Sequence, residues 1–138
     1  MTTPIAINRA PCQSCPYRRD VPSGIWHAEE YDKILPFDNE TWMQPPRVFL
    51  CHQANGCLCR GWLDTHGSEL LALRLACIKG EVDPGAVGKA LKEGPAVPVF
   101  ESAAQAAAHG RKAIKRPGRK AREMVEKIGK TRNRNRGS

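Results

Sequence analysis

A chain of 138 residues, 41% of them apolar, with 12 glycines, 11 prolines and few aromatics, can build one small core and leaves little room for a second domain. Its net charge of +8 is unevenly placed: residues 1–110 carry 10 Lys/Arg against 12 Asp/Glu, whereas residues 111–138 carry 12 against 2. No apolar run approaches membrane-spanning length and the opening MTTPIAINRAPC lacks the charged and apolar regions of a secretory signal, so a cytoplasmic, reducing location is expected.

Residues 1–24 read as irregular, punctuated by Pro4, Pro11, Pro16, Pro22 and Gly24. A short helix is predicted over about 26–35, with Glu29 and Glu30 in its first turn and Pro36 as its stop. Residues 38–46 read as loop, and 47–51 as a strand that delivers Cys51. Gly56 and Gly61 bracket a tight loop. Residues 68–79 give the clearest helix, stopped by Gly80. Its wheel puts Leu70, Leu71, Leu73, Leu75, Cys77 and Ile78 on one broad arc, with Arg74 near the middle. A guanidinium there must snorkel, meet a carboxylate such as Asp20 or Asp32, or face a functional cleft.

A turn-rich link with a short helix near 86–92 follows. Ser102 and Gln105 match a capping box opening an alanine-rich helix over about 103–115. After Pro117-Gly118, Ala121, Met124, Val125 and Ile128 recur at helical spacing, with Gly129 as the cap. The expected fold is therefore α+β, small, loop-rich and mainly helical. A globular domain over 1–100, stapled by a metal in its N-terminal half, would carry a basic helical extension over 101–129 and a disordered tail over 130–138.

Five of the six cysteines fall into two clusters: Cys12 and Cys15 in a C-x-x-C, and Cys51, Cys57 and Cys59 with His52 beside the first. Two ligand pairs separated by a longer stretch are what a tetrahedral centre needs, and thiolates suit zinc or an iron–sulfur cluster. In a reducing compartment these residues are expected as ligands rather than disulfides. Cys12, Cys15, Cys51 and Cys59 are the preferred set for zinc; Cys57 and His52 are alternates for the fourth place. Cys77 reads as an inert core thiol. A zinc-deaminase reading fails, because His27-Ala-Glu29 follows Pro11-Cys-x-x-Cys15 in the wrong order and too closely. A closed four-thiolate site is structural, so the chain leans away from enzymatic activity.

Pro11-Cys-x-x-Cys-Pro-Tyr-Arg18, Asp20-Val-Pro-Ser-Gly-Ile-Trp26, Phe49-Leu-Cys-His-Gln53 and Cys59-Arg-Gly-Trp62 resemble a family of uncharacterised small proteins of actinobacteria and their bacteriophages. The resemblance covers about residues 11–82 and leaves the basic tail outside. It implies a bacterial or phage setting, in the latter case the host cytoplasm, and carries no activity. It supports the same four cysteines and makes Cys57 and Cys77 departures from the pattern.

The basic segment holds Arg111, Lys112, Lys115, Arg116, Arg119, Lys120, Arg122, Lys127, Lys130, Arg132, Arg134 and Arg136 without one aromatic. Such a run suits sequence-tolerant, salt-dependent contact with nucleic-acid phosphates. The first expectation is thus a metal-stabilised protein binding nucleic acid, or regulating a nucleic-acid machine. The alternatives are a protein-interaction module aimed at a host protein, using Trp26, Trp42, Trp62 and Arg74, and an iron–sulfur redox or sensing protein. No membrane and no small-molecule substrate is indicated.

Overall fold

The structure, a computed structural model, describes residues 4–51 and 56–136, with side chains as far as Lys130. Among the described residues, six α-helices are separated by loops and three short 3-10 turns. They are α1 (Ala28–Asp32), α2 (Arg60–His66), α3 (Leu71–Ile78), α4 (Pro84–Glu93), α5 (Ala103–Arg111) and α6 (Arg119–Arg136). Among the described residues no helix is long and apolar enough to cross a membrane.

The β content is smaller than the sequence suggests: among the described residues it consists of isolated bridges. Leu58 pairs antiparallel with Leu50 and parallel with Ile7. The Cys51 N–H donates to the Cys57 carbonyl at 2.8 Å, and the Cys59 N–H to the Phe49 carbonyl at 2.9 Å. Residues 49–51 and 57–59 thus face each other as a minimal hairpin, and the predicted strand at 47–51 is reduced to its last two or three positions. The partner segment turns into α2 at Arg60, so residues 47 and 48 have no strand to pair with among the described residues.

Local chemistry accounts for the helix limits. Asp83 accepts from the Gly85 N–H at the start of α4, and Pro84 occupies the first helical position. At α5 the Ser102 hydroxyl accepts from the Gln105 N–H, while the Gln105 amide oxygen reaches back to the Glu101 N–H. Asp38, 65 residues away in sequence, accepts from the Ala103 and Ala104 N–H groups at 2.7 and 2.8 Å. This cross-chain cap ties α5 to the 3-10 turn Leu35–Asp38, against which it packs together with α1. Gly110 permits that approach, because a Cβ there would lie 2.0 Å from the Tyr31 ring. Ala103, Ala106 and Ala107 are buried, so α5 belongs to the body and not to a C-terminal extension.

Two further expectations are corrected. The buried face of α3 is formed by Ala72, Leu73 and Ala76, leaving Arg74 outside and Ile78 82% exposed. The broad wheel of the sequence hid this, since Arg74 and Ile78 stand four apart on one outer face. Arg74 meets the Ser68 carbonyl and lies 3.8 Å from Glu69, not from Asp20 or Asp32. The last helix does not stop at Gly129 but runs to Arg136. Residues 130–136, expected to be disordered, continue it because no proline interrupts the run; residues 137–138 lie outside the described residues.

Candidate metal centre and basic face

The first cysteine pair sits on two successive turns, in which the Cys15 N–H donates to the Cys12 carbonyl and the Arg18 N–H to the Cys15 carbonyl. Arg18 clamps this loop, bonding Asp20 through two nitrogens and the Pro11 carbonyl through a third. Trp26, 7% exposed, donates its indole N–H to the Ser14 carbonyl at 2.9 Å. Cys51, Cys57 and Cys59 of the second group lie on the paired segments 49–51 and 57–59, just before α2.

The two groups meet. The Cys15 and Cys59 sulfurs lie 3.8 Å apart. A tetrahedral zinc with Zn–S bonds of about 2.3 Å sets its sulfurs about 3.8 Å apart. The Cys12 thiol neighbours both Cys15 and Cys51, so the four thiols are strung in the order Cys51, Cys12, Cys15, Cys59. Among the described residues, however, no three His, Cys, Asp or Glu side chains are gathered closely enough to hold a metal as they stand. A shared ion would have to draw the ends of that string inward. Cys57 is half-buried on the hairpin, and His52 lies outside the described residues. Cys77 is half-buried at the edge of the core, where burial and then Asp83 raise its pKa.

The thiol environment favours the neutral form while no cation is present. Hydrogen bonding with Cys15 raises the Cys12 pKa, partly offset by Cys51, and burial adds to the rise. At Cys15 the Cys12 thiol acts to lower the pKa, but Cys59 and burial outweigh it and hold Cys15 well above an ordinary thiol. A divalent cation would reverse this balance, since thiolates bind it after losing their protons.

The supporting shell contains residues that the sequence did not single out as functional. Gly61 lies inside α2, where a Cβ would fall 2.5 Å from the Cys15 sulfur and 2.9 Å from the Tyr17 Cβ. Only glycine lets the first turn of the helix close over that sulfur, and the Cys59-Arg-Gly-Trp62 motif was its one visible signal. Tyr17 is fully buried, and its hydroxyl pairs with His66 Nε2 at 2.9 Å. Burial pushes the tyrosine pKa well up, with Cys59, Cys15 and Asp38 adding to the effect. His66 is pushed down to about 4, because burial disfavours the imidazolium more than Asp38 supports it. Arg60, 3% exposed, pairs with Asp64 at 2.8 Å and caps the end of α4 through the Ala90 and Gly94 carbonyls. Trp62 is wholly buried and withdrawn from any surface role, Trp26 is mostly buried but lines a surface hollow with Ile114 and Val125, and Trp42 is 73% exposed.

Residues 7–132 match the family of unknown function DUF6283. The chain belongs to that family. No curated protein and no solved structure matches it. The match to DUF6283 reaches well beyond residues 11–82 and includes the basic segment as far as Arg132, which corrects the expectation that this segment lies outside the family pattern.

In this DUF6283 chain α6 rests on the body by a narrow stripe. Ala121 and Ile128 are buried and Met124 is half-buried against the core. Lys120, Met124 and Lys127 line a hollow of about 250 Å³ with Gln13, Asp20 and Pro22, beside the first cysteine pair. Arg111, Lys112, Lys115, Arg116, Arg119, Lys120, Arg122, Lys127 and Lys130 are all exposed. Arg111 pairs with Asp32, Arg119 with Glu123 and Lys130 with Glu126. Side chains of Arg132, Arg134 and Arg136 lie outside those described.

Proposed function

We propose that this DUF6283 protein is non-enzymatic and zinc-stabilised, and that it binds nucleic acid through its basic C-terminal region or regulates a nucleic-acid machine. The observation that carries this reading is the way α6 docks. Its small apolar stripe of Ala121, Met124 and Ile128 faces the body beside the cysteine loop, and its cations face solvent. That arrangement favours phosphate contacts, which need exposed Lys and Arg and no precise pocket. The resemblance to actinobacterial and phage proteins makes a bacterial nucleic-acid machine the natural setting.

The metal half of the reading rests on donor chemistry. Thiols from segments some 40 residues apart are neighbours in pairs, Cys15 with Cys59 and Cys12 with Cys15 and Cys51, and Gly61 leaves room over Cys15. Cys12, Cys15, Cys51 and Cys59 would hold the ion, which would supply cross-linking of a core poor in aromatics and no reaction.

Two measurements test the two halves. Elemental analysis of anaerobically purified protein should give one zinc per chain in a colourless sample. A brown protein with visible absorbance would select an iron–sulfur cluster, and a metal-free folded protein would remove the centre altogether. Binding to a labelled duplex should weaken by more than tenfold between about 50 and 200 mM salt. Salt-independent binding, or none, would overturn the nucleic-acid half and favour a protein partner.

A further inference from the structure

Two hollows adjoin each other where the α5–α6 connection crosses the start of α1. The larger, about 660 Å³, is lined by residues 111–116 and Ala28. The smaller, about 400 Å³, shares Ala28 and Ile114 and extends past Pro117 to Arg122 and Val125. Sharing Ala28 and Ile114, they border one another as a two-part groove, each part within the size range in which proteins take small organic groups, about 300–1,000 Å³. The apolar lining of the smaller hollow includes Ile25, Trp26, Ile114, Pro117 and Val125; Trp26 is 7% exposed, whereas Val125 is 44% exposed on a helix whose other described apolar residues are buried or half-buried.

The rim has one sign of charge. Among the described residues, none that lines either hollow is acidic. Arg111 is paired with Asp32, but no described carboxylate pairs with Lys112, Lys115, Arg116 or Arg122. Four uncompensated cations surrounding an apolar strip form a field that concentrates anions bearing an apolar face.

The groove is also built rather than draped. The Gly24 N–H donates to the Gly110 carbonyl at 2.8 Å, and Ser23 donates to the His109 carbonyl. His109 Nε2 meets the Val21 carbonyl at 2.6 Å. Gly24, at φ +82°, stands so close to the Ala113 carbonyl that a Cβ would approach it to 2.6 Å. Backbone contacts from residues 21–24 therefore set the path of 109–114, so the groove's shape exists before anything binds.

We propose that this groove binds single-stranded nucleic acid, with unstacked bases lying on Ile114 and Val125 and phosphates on Lys112, Lys115, Arg116 and Arg122. The inference rests on the nucleic-acid reading above and sharpens it. A duplex hides its base faces and would meet only the cationic rim and α6. A single strand offers phosphates and apolar base faces together, and so uses both surfaces.

The test uses the full-length chain and fluorescence anisotropy with labelled 12-nucleotide DNA and RNA single strands and a DNA duplex of the same sequence. Expected at about 100 mM salt is binding of at least one single strand tenfold or more tighter than the duplex. Val125→Asp should weaken the single strand about tenfold and the duplex by less than threefold, with helical content and melting unchanged. Val125→Gln, uncharged and helix-compatible at the same exposed position, repeats the test should Val125→Asp disturb folding. Replacing Arg132, Arg134 and Arg136 by Gln should weaken single strand and duplex alike. Equal affinity for single strand and duplex, or a Val125→Asp protein that binds as tightly as the parent, overturns the groove while leaving the nucleic-acid reading intact. Absence of binding to all three probes at 50 mM salt overturns both.

Discussion

Around Cys15 and Cys59 the chain closes Tyr17, Leu58, Gly61 and Trp62 to almost no exposure, with partners as far apart in sequence as Ala6, His66 and Phe100. Along α6 an 18-residue helix rests on the body, among the residues whose side chains are described, by a stripe of Ala121, Met124 and Ile128. The first region depends on distant contacts and close approach, so small volume changes are felt strongly there. The second depends on helical periodicity and a thin seam, so it tolerates change and suits a role as an exposed, charge-bearing element. The contrast separates a part of the molecule that makes the fold from a part that can meet a partner.

The sharpest way to break that contrast is Gly61→Ala. The new methyl would stand 2.5 Å from the Cys15 sulfur and 2.9 Å from the Tyr17 Cβ, inside a packed region whose backbone is fixed by the pairing of residues 49–51 with 57–59. A loss of about 3 kcal/mol or more is expected in denaturant unfolding; a variant as stable as the parent would show that the thiol region is loosely packed.

Acid probes the same region through His66. Its folded-state pKa is about 4, against about 6.5 for an ordinary histidine. Between these values the unfolded chain binds more protons than the folded one, so stability falls as pH drops through 6.5, and the loss is complete near pH 4. The full contribution is about 3 kcal/mol by the size of that shift. Chemical denaturation from pH 7 to pH 4 should show it, and His66→Gln should flatten the profile.

Ile128→Ala removes the largest buried contact of the α6 seam and should cost about 2 kcal/mol. Hydrogen exchange should place the loss in α6, with amides 57–63 still protected; uniform loss across both regions would erase the distinction. Smallest is Ser102→Ala, expected at about 1 kcal/mol or less, because Asp38 already satisfies two N–H groups at the same helix end. Thermal melting would register it as a shift of a few degrees, and a shift as large as that of Gly61→Ala would show that Ser102 does more than cap α5.

Several elements were legible because their signals are local. The Asp83-Pro84 start of α4, the Ser102 cap of α5 and the apolar spacing of α6 are all chemistry of neighbours within one or two turns. That the two cysteine groups are candidates for one centre was readable from composition and spacing; which sulfurs approach each other was not. Helix α2 was not, because Arg60, Gly61 and Asp64 look like loop residues until Arg60 finds its buried acceptors at Asp64, Ala90 and Gly94. The outward turn of Arg74 was missed for the opposite reason: six apolar neighbours suggested burial, but the body covers a narrower face.

The amino-acid sequence by itself determined the helical segments after residue 70, the charge division near residue 111 and the supply of paired thiols, because periodicity, capping and composition act over short distances. Tertiary structure alone decided that Cys15 meets Cys59, that Gly61 must lack a side chain and that Tyr17 reaches His66. It also decided that Lys115, Arg116 and Arg122 ring an apolar groove. Those facts depend on which segments touch across dozens of residues, and exclusion of volume among packed side chains selects the contacts that survive.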